Sequence, residues 1–248
     1  MEDCLLYSLN YTVKLTGADI VRGLIKNNVH AAIFDIDGTL LDSMPIWDTL
    51  GARYLLAHGL TPETNLRDIL FPMTIPESVH YLKAHYDLKE NEDEIRNGLY
   101  RITEDFYKKE VPLKKGAEKL LRGLSDAGIP MVLCTVGEAE LAKAALTRLH
   151  VLSIFQDLFV CTDYQTTKRE PRIYEIAAAA LHAKPAETVV FEDILQALSS
   201  AKTAGFQTAA VEDPANDSDR KKILETADYY LPDFTVLYTK RPCAPDLL

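Results

Sequence analysis

HAAIFDIDGTLLDS, residues 30–43, is an apolar run that ends in two carboxylates. Ala31 to Phe34 has the length and character of a buried strand, and Asp35 and Asp37 follow it, one residue apart, with Gly38 and Thr39 next. Desolvated carboxylates repel one another and lose their water, so they persist where a cation or a proton offsets the cost. The stretch therefore reads as the carboxyl end of a central strand, residues 30–35, opening onto a metal site, which is where open α/β sheets place their ligands. Asp-Gly is also an ordinary turn signal, and a strand followed by a polar turn needs no chemistry. The rest of the chain decides between the two.

Upstream, Thr16 followed by Ala18, Ile20, Val21, Leu24 and Ile25 predicts a short amphipathic helix with Thr16 as N-cap, ending near Asn27-Asn28. Downstream, from Met44 to about Val111, apolar residues such as Ile46, Leu50, Tyr54, Leu55, Val79, Leu82, Ile95, Leu99, Ile102 and Phe106 recur at helical spacing, with breaks at His58-Gly59, Phe71-Pro72 and near Asn91. This predicts a helical insertion the size of a small bundle, with Pro112 and Lys114 to Gly116 as the return linker. After it, short apolar runs at 130–135, 158–162, 188–191 and 206–211 alternate with helical stretches at 117–128, 138–150, 173–182 and 195–204. Strands alternating with helices at this spacing imply a parallel sheet with helices on both faces.

A chain of 248 residues with 47% hydrophobic and 26% charged residues can bury a sizeable core and has the composition of a soluble globular protein. A formal charge of -10 argues against nucleic acid or an anionic membrane as the main partner. An anionic small substrate would then need local positive charge. Cys4, Cys134, Cys161 and Cys243 are scattered without paired spacing and read as free thiols in a reducing compartment. There is no secretory signal and no apolar stretch near the ~20 residues that cross a bilayer, so the expected location is the cytoplasm. Oligomeric state is not legible.

The later strands end in polar residues at the edge that carries Asp35. The second ends in Thr135, and Thr135-x-x-Glu138 has the pattern of a capping box, compatible with a phosphate site because free N–H groups at a helix start also hold phosphate. The third leads into Asp163 and Lys168; a loop lysine standing alone is ordinarily solvated. The fourth ends in Glu192-Asp193, a second acidic pair behind a buried run. Two acidic pairs at the ends of two buried strands would repel unless a hard cation sat between them, and magnesium, an oxygen-seeking ion, fits.

Residues 34–43, together with Thr135, Lys168 and Glu192-Asp193, resemble the four motifs of the haloacid dehalogenase-like hydrolase superfamily. The helical insertion resembles that superfamily's cap domain in the form found in phosphoglycolate phosphatases and β-phosphoglucomutases. The resemblance implies a Rossmann-like core of residues 1–43 and 113–248 and a helical cap of residues 44–112. It implies that Asp35 attacks phosphorus to form an aspartyl-phosphate and that Asp37 is the acid and base. Dehalogenases of the superfamily lack an acid two residues after the nucleophile, so Asp37 favours phosphoryl transfer. Thr135 and Lys168 would bind the transferring phosphoryl oxygens. Magnesium would be held by Asp35, the backbone carbonyl of Asp37 and Asp193, with Glu192 either a ligand or the holder of a metal-bound water.

The third motif in relatives usually reads Lys-Pro-x-Pro, whereas this chain has Lys168-Arg169-Glu170-Pro171, a departure that allows the loop to sit differently; Arg169 reads first as a solvated arginine and second as a competitor for the phosphate role. β-Phosphoglucomutases carry a histidine twelve residues after the nucleophile, where this chain has Trp47, and an arginine in a cap loop, where residues 71–76 (FPMTIP) carry no positive charge. The expected function is magnesium-dependent hydrolysis of a small phosphomonoester, such as a sugar phosphate, with Trp47, Met73 and Thr74 as candidate substrate contacts that also read as packing. A phosphosugar mutase and a non-catalytic metal-binding interaction module are the alternatives.

Overall fold

The structure is a computed structural model and describes residues 2–11 and 13–240. The chain divides into two compact units, one formed by residues 1–42 and 112–248 and the other by residues 43–111.

The first unit is built on one eight-stranded sheet. Its strands are β1 (Val13–Thr16), β2 (Ala31–Phe34), β3 (Met131–Thr135), β4 (Leu158–Val160), β5 (Thr188–Glu192), β6 (Gln207–Val211), β7 (Tyr229–Asp233) and β8 (Val236–Thr239). They lie in the order β1-β8-β7-β6-β5-β2-β3-β4. From β7 to β4 every neighbouring pair is parallel. The strand that carries Asp35 is interior, between β5 and β3, as the sequence predicts.

Parallel strands covered on both faces need apolar side chains on both faces, and β2, β3, β5 and β6 are buried at every position. The helices that cover them are α1 (Glu2–Ser8), α2 (Ala18–Lys26), α7 (Ala117–Asp126), α8 (Ala139–Arg148), α9 (Arg172–Ala180), α10 (Leu195–Thr203) and α11 (Arg220–Thr226). The amphipathic helix α7, for example, buries Ala117, Leu120, Leu121 and Leu124.

The sheet is mixed at one edge, which the alternating pattern did not predict. β8 returns antiparallel on β7 through a tight turn at Phe234 and Thr235, and β1 adds antiparallel to β8. β1 also corrects the expected N-cap. Thr16 pairs with Val236 in the sheet, and α2 starts from Gly17 in a positive-φ conformation (φ 58°) with no side-chain cap. Similarly, the run at 158–162 ends as a strand at Val160, and the chain turns through a short 3-10 helix at Cys161–Tyr164.

The second unit is all helical: α3 (Pro45–Ala57), α4 (Leu66–Leu70), α5 (Ile75–His85) and α6 (Glu92–Asp105), closed by a π-helical turn at Phe106–Glu110. Leu50, Tyr54, Leu55, Leu66, Val79, Leu82, Leu88, Ile95 and Leu99 form its own core. Two capping boxes fix its helix starts. Thr74 and Glu77 exchange side chain-to-backbone bonds at α5, and Asn91 and Glu94 do the same at α6.

Cys134 and Cys161 are buried free thiols, as expected. Cys243 and the side chain of Cys4 lie outside the described residues. Among the described residues, no helix is long and apolar enough to cross a membrane.

Candidate active site

Sheet register assembles the acidic pairs. Phe34 stands opposite Phe191 on β5 and Leu133 on β3, so the next residue along β5 reaches the level of the residue after β2, and Asp35 falls beside Glu192. The Asp35 N–H donates to the Phe191 carbonyl at 3.0 Å. The preceding residues, Phe34 and Phe191, stack their rings at 4.3 Å. Asp35 and Glu192 are themselves buried, where their charges interact strongly.

One ammonium serves two of these carboxylates. Lys168 Nζ donates to Asp35 Oδ1 and, at 2.5 Å, to Glu192 Oε1. The same Glu192 oxygen accepts from the Tyr174 hydroxyl at 2.9 Å. Burial disfavours the Lys168 ammonium, but the charges of Asp35 and Glu192 outweigh burial and hold its pKa above the ordinary lysine value. Glu192 shares its cation, so burial prevails there and pushes the carboxyl up to about 7, with Asp35 adding repulsion. Its other oxygen, Oε2, is buried with no hydrogen-bond partner.

Asp193 is partnered differently. Its Oδ1 accepts from the Thr39 hydroxyl at 3.2 Å and its Oδ2 from the Asn216 side-chain amide at 2.7 Å. Burial, then repulsion from Asp35 and Glu192, lifts its pKa well above the usual carboxylate range. Gly38 is required at this point for two reasons. Its φ is +81°, and a Cβ there would lie 2.4 Å from Asp193 Oδ2.

On the other flank, Asp37 Oδ2 lies 3.0 Å from where a Cβ on Gly137 would be, and Thr135 Oγ1 lies 3.3 Å from the same point. Asp37 and Thr135 thus meet around the turn after β3. The expected capping box is not formed. Glu138 is itself the N-cap of α8, without a side-chain cap bond, and Thr135 Oγ1 instead accepts from the Gly137 N–H at 2.9 Å. Because the strand runs to Thr135, the helix begins too late for Thr135 to cap it.

Asp35, Glu192 and Asp193 each offer an oxygen within 4.8 Å of the others, and all three are buried. Three carboxylates face one ammonium, one carboxylate oxygen has no partner, and every donor atom is oxygen. That set fits a hard divalent cation. The Asp37 carboxylate is not in this group of three, which leaves its backbone carbonyl as the contribution that the resemblance implies. Arg169 is exposed beside the buried Lys168, and its N–H donates to the Thr167 hydroxyl, so Lys168 is the cation that reaches the acids.

Of the helical-unit candidates, Trp47 and Met73 come together. They line a cavity of about 190 Å³ with Leu50, Phe71 and Leu99. Thr74 is not among the lining residues. Its hydroxyl accepts from the Glu77 N–H at 3.4 Å and its own N–H donates to Glu77 Oε2 at 2.7 Å, the capping box of α5.

Sequence reasoning missed Thr39, Tyr174 and Asn216. Thr39 sits inside the first motif and was legible as a hydroxyl next to the acids. Tyr174 had the apolar periodicity of a core helix, and Asn216 lies in a polar loop rich in turn residues, so neither carried a signal.

Residues 32–211 match the haloacid dehalogenase-like hydrolase family. Hexitol phosphatase A of Escherichia coli is 31% identical over 214 residues, covering 85% of this chain and 94% of that one. Validoxylamine A 7'-phosphate phosphatase of Streptomyces hygroscopicus is 27% identical over 206 residues, covering 82% and 93%. Among solved structures, a candidate β-phosphoglucomutase from Thermotoga maritima superposes with a TM-score of 0.72 at 22% identity, covering 82% of this chain and 94% of the other, a likeness of fold. The chain belongs to the haloacid dehalogenase-like hydrolases.

Proposed function

We propose that this chain is a magnesium-dependent phosphatase that hydrolyses a small phosphomonoester, such as a sugar phosphate, through an aspartyl-phosphate on Asp35. The observation that carries the reading is the buried group of Asp35, Glu192 and Asp193 around the single ammonium of Lys168. The phosphatase relatives support the choice of phosphomonoester over other leaving groups.

In this reading Asp35 attacks phosphorus as a nucleophile, which divides one difficult displacement into two easier ones. Lys168 holds Asp35 in place and neutralises charge as the phosphoryl group arrives. Thr135, beside Asp37, donates its hydroxyl to a transferring oxygen. Asp37 protonates the leaving oxygen and later takes a proton from the attacking water, which then breaks the acyl-phosphate bond and frees Asp35. Asp35, Asp193, the Asp37 carbonyl and the unpartnered oxygen of Glu192 are the groups that would hold magnesium. When bound, the ion would balance the surplus carboxylate charge and polarise phosphoryl oxygens. The helical unit serves as the cap that selects the leaving group, with Trp47 and Met73 as its candidate contacts. Free buried thiols at Cys134 and Cys161 support a cytoplasmic setting.

The test is a phosphate-release screen over phosphorylated metabolites, with magnesium and with chelator, on the wild type and Asp35→Asn. Metal-dependent release that is lost in the variant is expected. Release that survives the substitution overturns the reading, and isomerisation primed by a bisphosphate, without net release, would make the protein a mutase.

A further inference from the structure

We propose that Asn216 is a positioning residue that fixes the Asp193 carboxylate for a divalent cation. The inference rests on the magnesium reading above. It starts from a difference among the three acids. Asp35 and Glu192 are partnered by the charged Lys168, whereas both oxygens of Asp193 accept from neutral groups, Thr39 on one side and Asn216 on the other.

Neutral donors offset part of the cost of burying a carboxylate without cancelling its charge. Asp193 is 2% exposed, and its two hydrogen-bond partners, Thr39 and Asn216, are neutral groups that do not compete with a cation. With one donor on each oxygen, the carboxylate plane cannot rotate, and the remaining lone pairs point in a fixed direction. Partners of this kind, one bond removed from a metal, orient its ligands. An ionised carboxylate only accepts, so the side-chain amide of Asn216 must present its nitrogen to it.

The loop that carries Asn216 is itself pinned. It leaves β6 at Val211 and passes through Glu212 and Asp213 into a 3-10 turn at Pro214–Asp219. Lys114 Nζ donates to the Glu212 carbonyl at 2.6 Å and to Asp213 Oδ2 at 2.8 Å. That ion pair is buried, with side chains 10% and 1% exposed. Asp213 then receives the Ala215 N–H on its Oδ1 at 2.9 Å, and the Asn216 N–H donates to the Asp213 carbonyl at 3.0 Å. The Lys114 N–H meanwhile donates to the Leu40 carbonyl at 2.8 Å, next to Thr39. Lys114 therefore ties together the two segments whose side chains hold Asp193.

The experiment is calorimetric titration of the full chain with magnesium chloride, for the wild type, Asn216→Ala and Lys114→Met, with urea denaturation in chelator to establish folding. For Asn216→Ala, magnesium affinity is expected to fall about 10- to 100-fold while the urea transition stays cooperative. Lys114→Met, which loosens the loop and leaves Asn216 in place, is expected to lose less. If Asn216→Ala does not fold, Asn216→Ser, which keeps a donor but shortens its reach, decides instead, with an expected loss larger than that of Lys114→Met. A folded Asn216 variant that binds magnesium within twofold of the wild type overturns the inference and leaves the phosphatase reading standing. A wild-type chain that binds no magnesium overturns both.

Discussion

The Tyr174 hydroxyl and the Lys168 ammonium converge on one oxygen, Oε1 of Glu192, and leave its partner oxygen bare. Tyr174 lies on α9, six residues after Lys168, so the chain that supplies the cation also supplies the group that steadies the carboxylate. Burial, followed by the charge of Glu192, holds the phenol well above its ordinary pKa, and it stays a donor at every working pH. Tyr174→Phe removes one buried bond to a charged group and little volume. The expected cost is about 1.5–3 kcal/mol in urea denaturation at pH 7, with cooperativity retained.

Lys168→Met leaves the buried acids with no cation. Removing one partner of a buried ion pair costs about 3–5 kcal/mol, and here two carboxylates lose theirs. The pH dependence follows in sign. Glu192 and Asp193 already titrate above their unfolded values, and loss of Lys168 raises them further. The folded variant then binds more protons than the unfolded chain above about pH 4, so its stability falls as pH rises. In chelator, the urea midpoint of Lys168→Met should be higher at pH 5 than at pH 8, by a wider margin than in the wild type.

Asp37 offers a test of role, because its carboxylate faces the Thr135–Gly137 turn and stands outside the group of three acids. Asp37→Asn is expected to lower kcat about 10²- to 10⁴-fold for an alkyl phosphate, the usual contribution of a positioned acid or base. For p-nitrophenyl phosphate, whose leaving group departs without a proton, the loss of the phosphorylation step should be much smaller. Magnesium affinity should stay near the wild-type value, measured by calorimetry.

What the sequence made legible was what repeats or costs energy. Buried runs at Ala31–Phe34 and Thr188–Phe191, each ending in acids, marked interior parallel strands and the site between them, because such a pattern is expensive without a cation. The three strands on one side of the sheet, β1, β8 and β7, were not legible. β1 and β8 are only four residues long and partly exposed, so their periodicity is weak, and the one signal for the turn at Phe234 and Thr235, Pro232-Asp233, falls inside β7 itself. Asn216 was invisible for another reason. It acts through a side chain 23 residues away, and only the fold of the loop brings the two within 2.7 Å.

Thr74 and Trp47 separate two ways in which a helical-unit residue can matter. Both stood as candidate substrate contacts, but the Thr74 hydroxyl and N–H are occupied by Glu77 at the start of α5. Thr74→Ala is therefore expected to cost about 1 kcal/mol of stability, the typical price of a lost N-cap, and to leave KM near its wild-type value. Trp47 is 49% exposed and lines the apolar cavity with Met73, so its ring is available to a ligand. If it contacts the leaving group equally in ground and transition states, Trp47→Ala should raise KM while kcat changes little. Trp47 is also the single tryptophan of the chain, so fluorescence excited selectively at tryptophan, clear of the twelve tyrosines, reports this cavity. A substrate that the enzyme turns over should quench or shift that emission in Asp35→Asn, which binds without turning over. Unchanged emission at saturating substrate, with unchanged KM in Trp47→Ala, would remove Trp47 from the list of contacts.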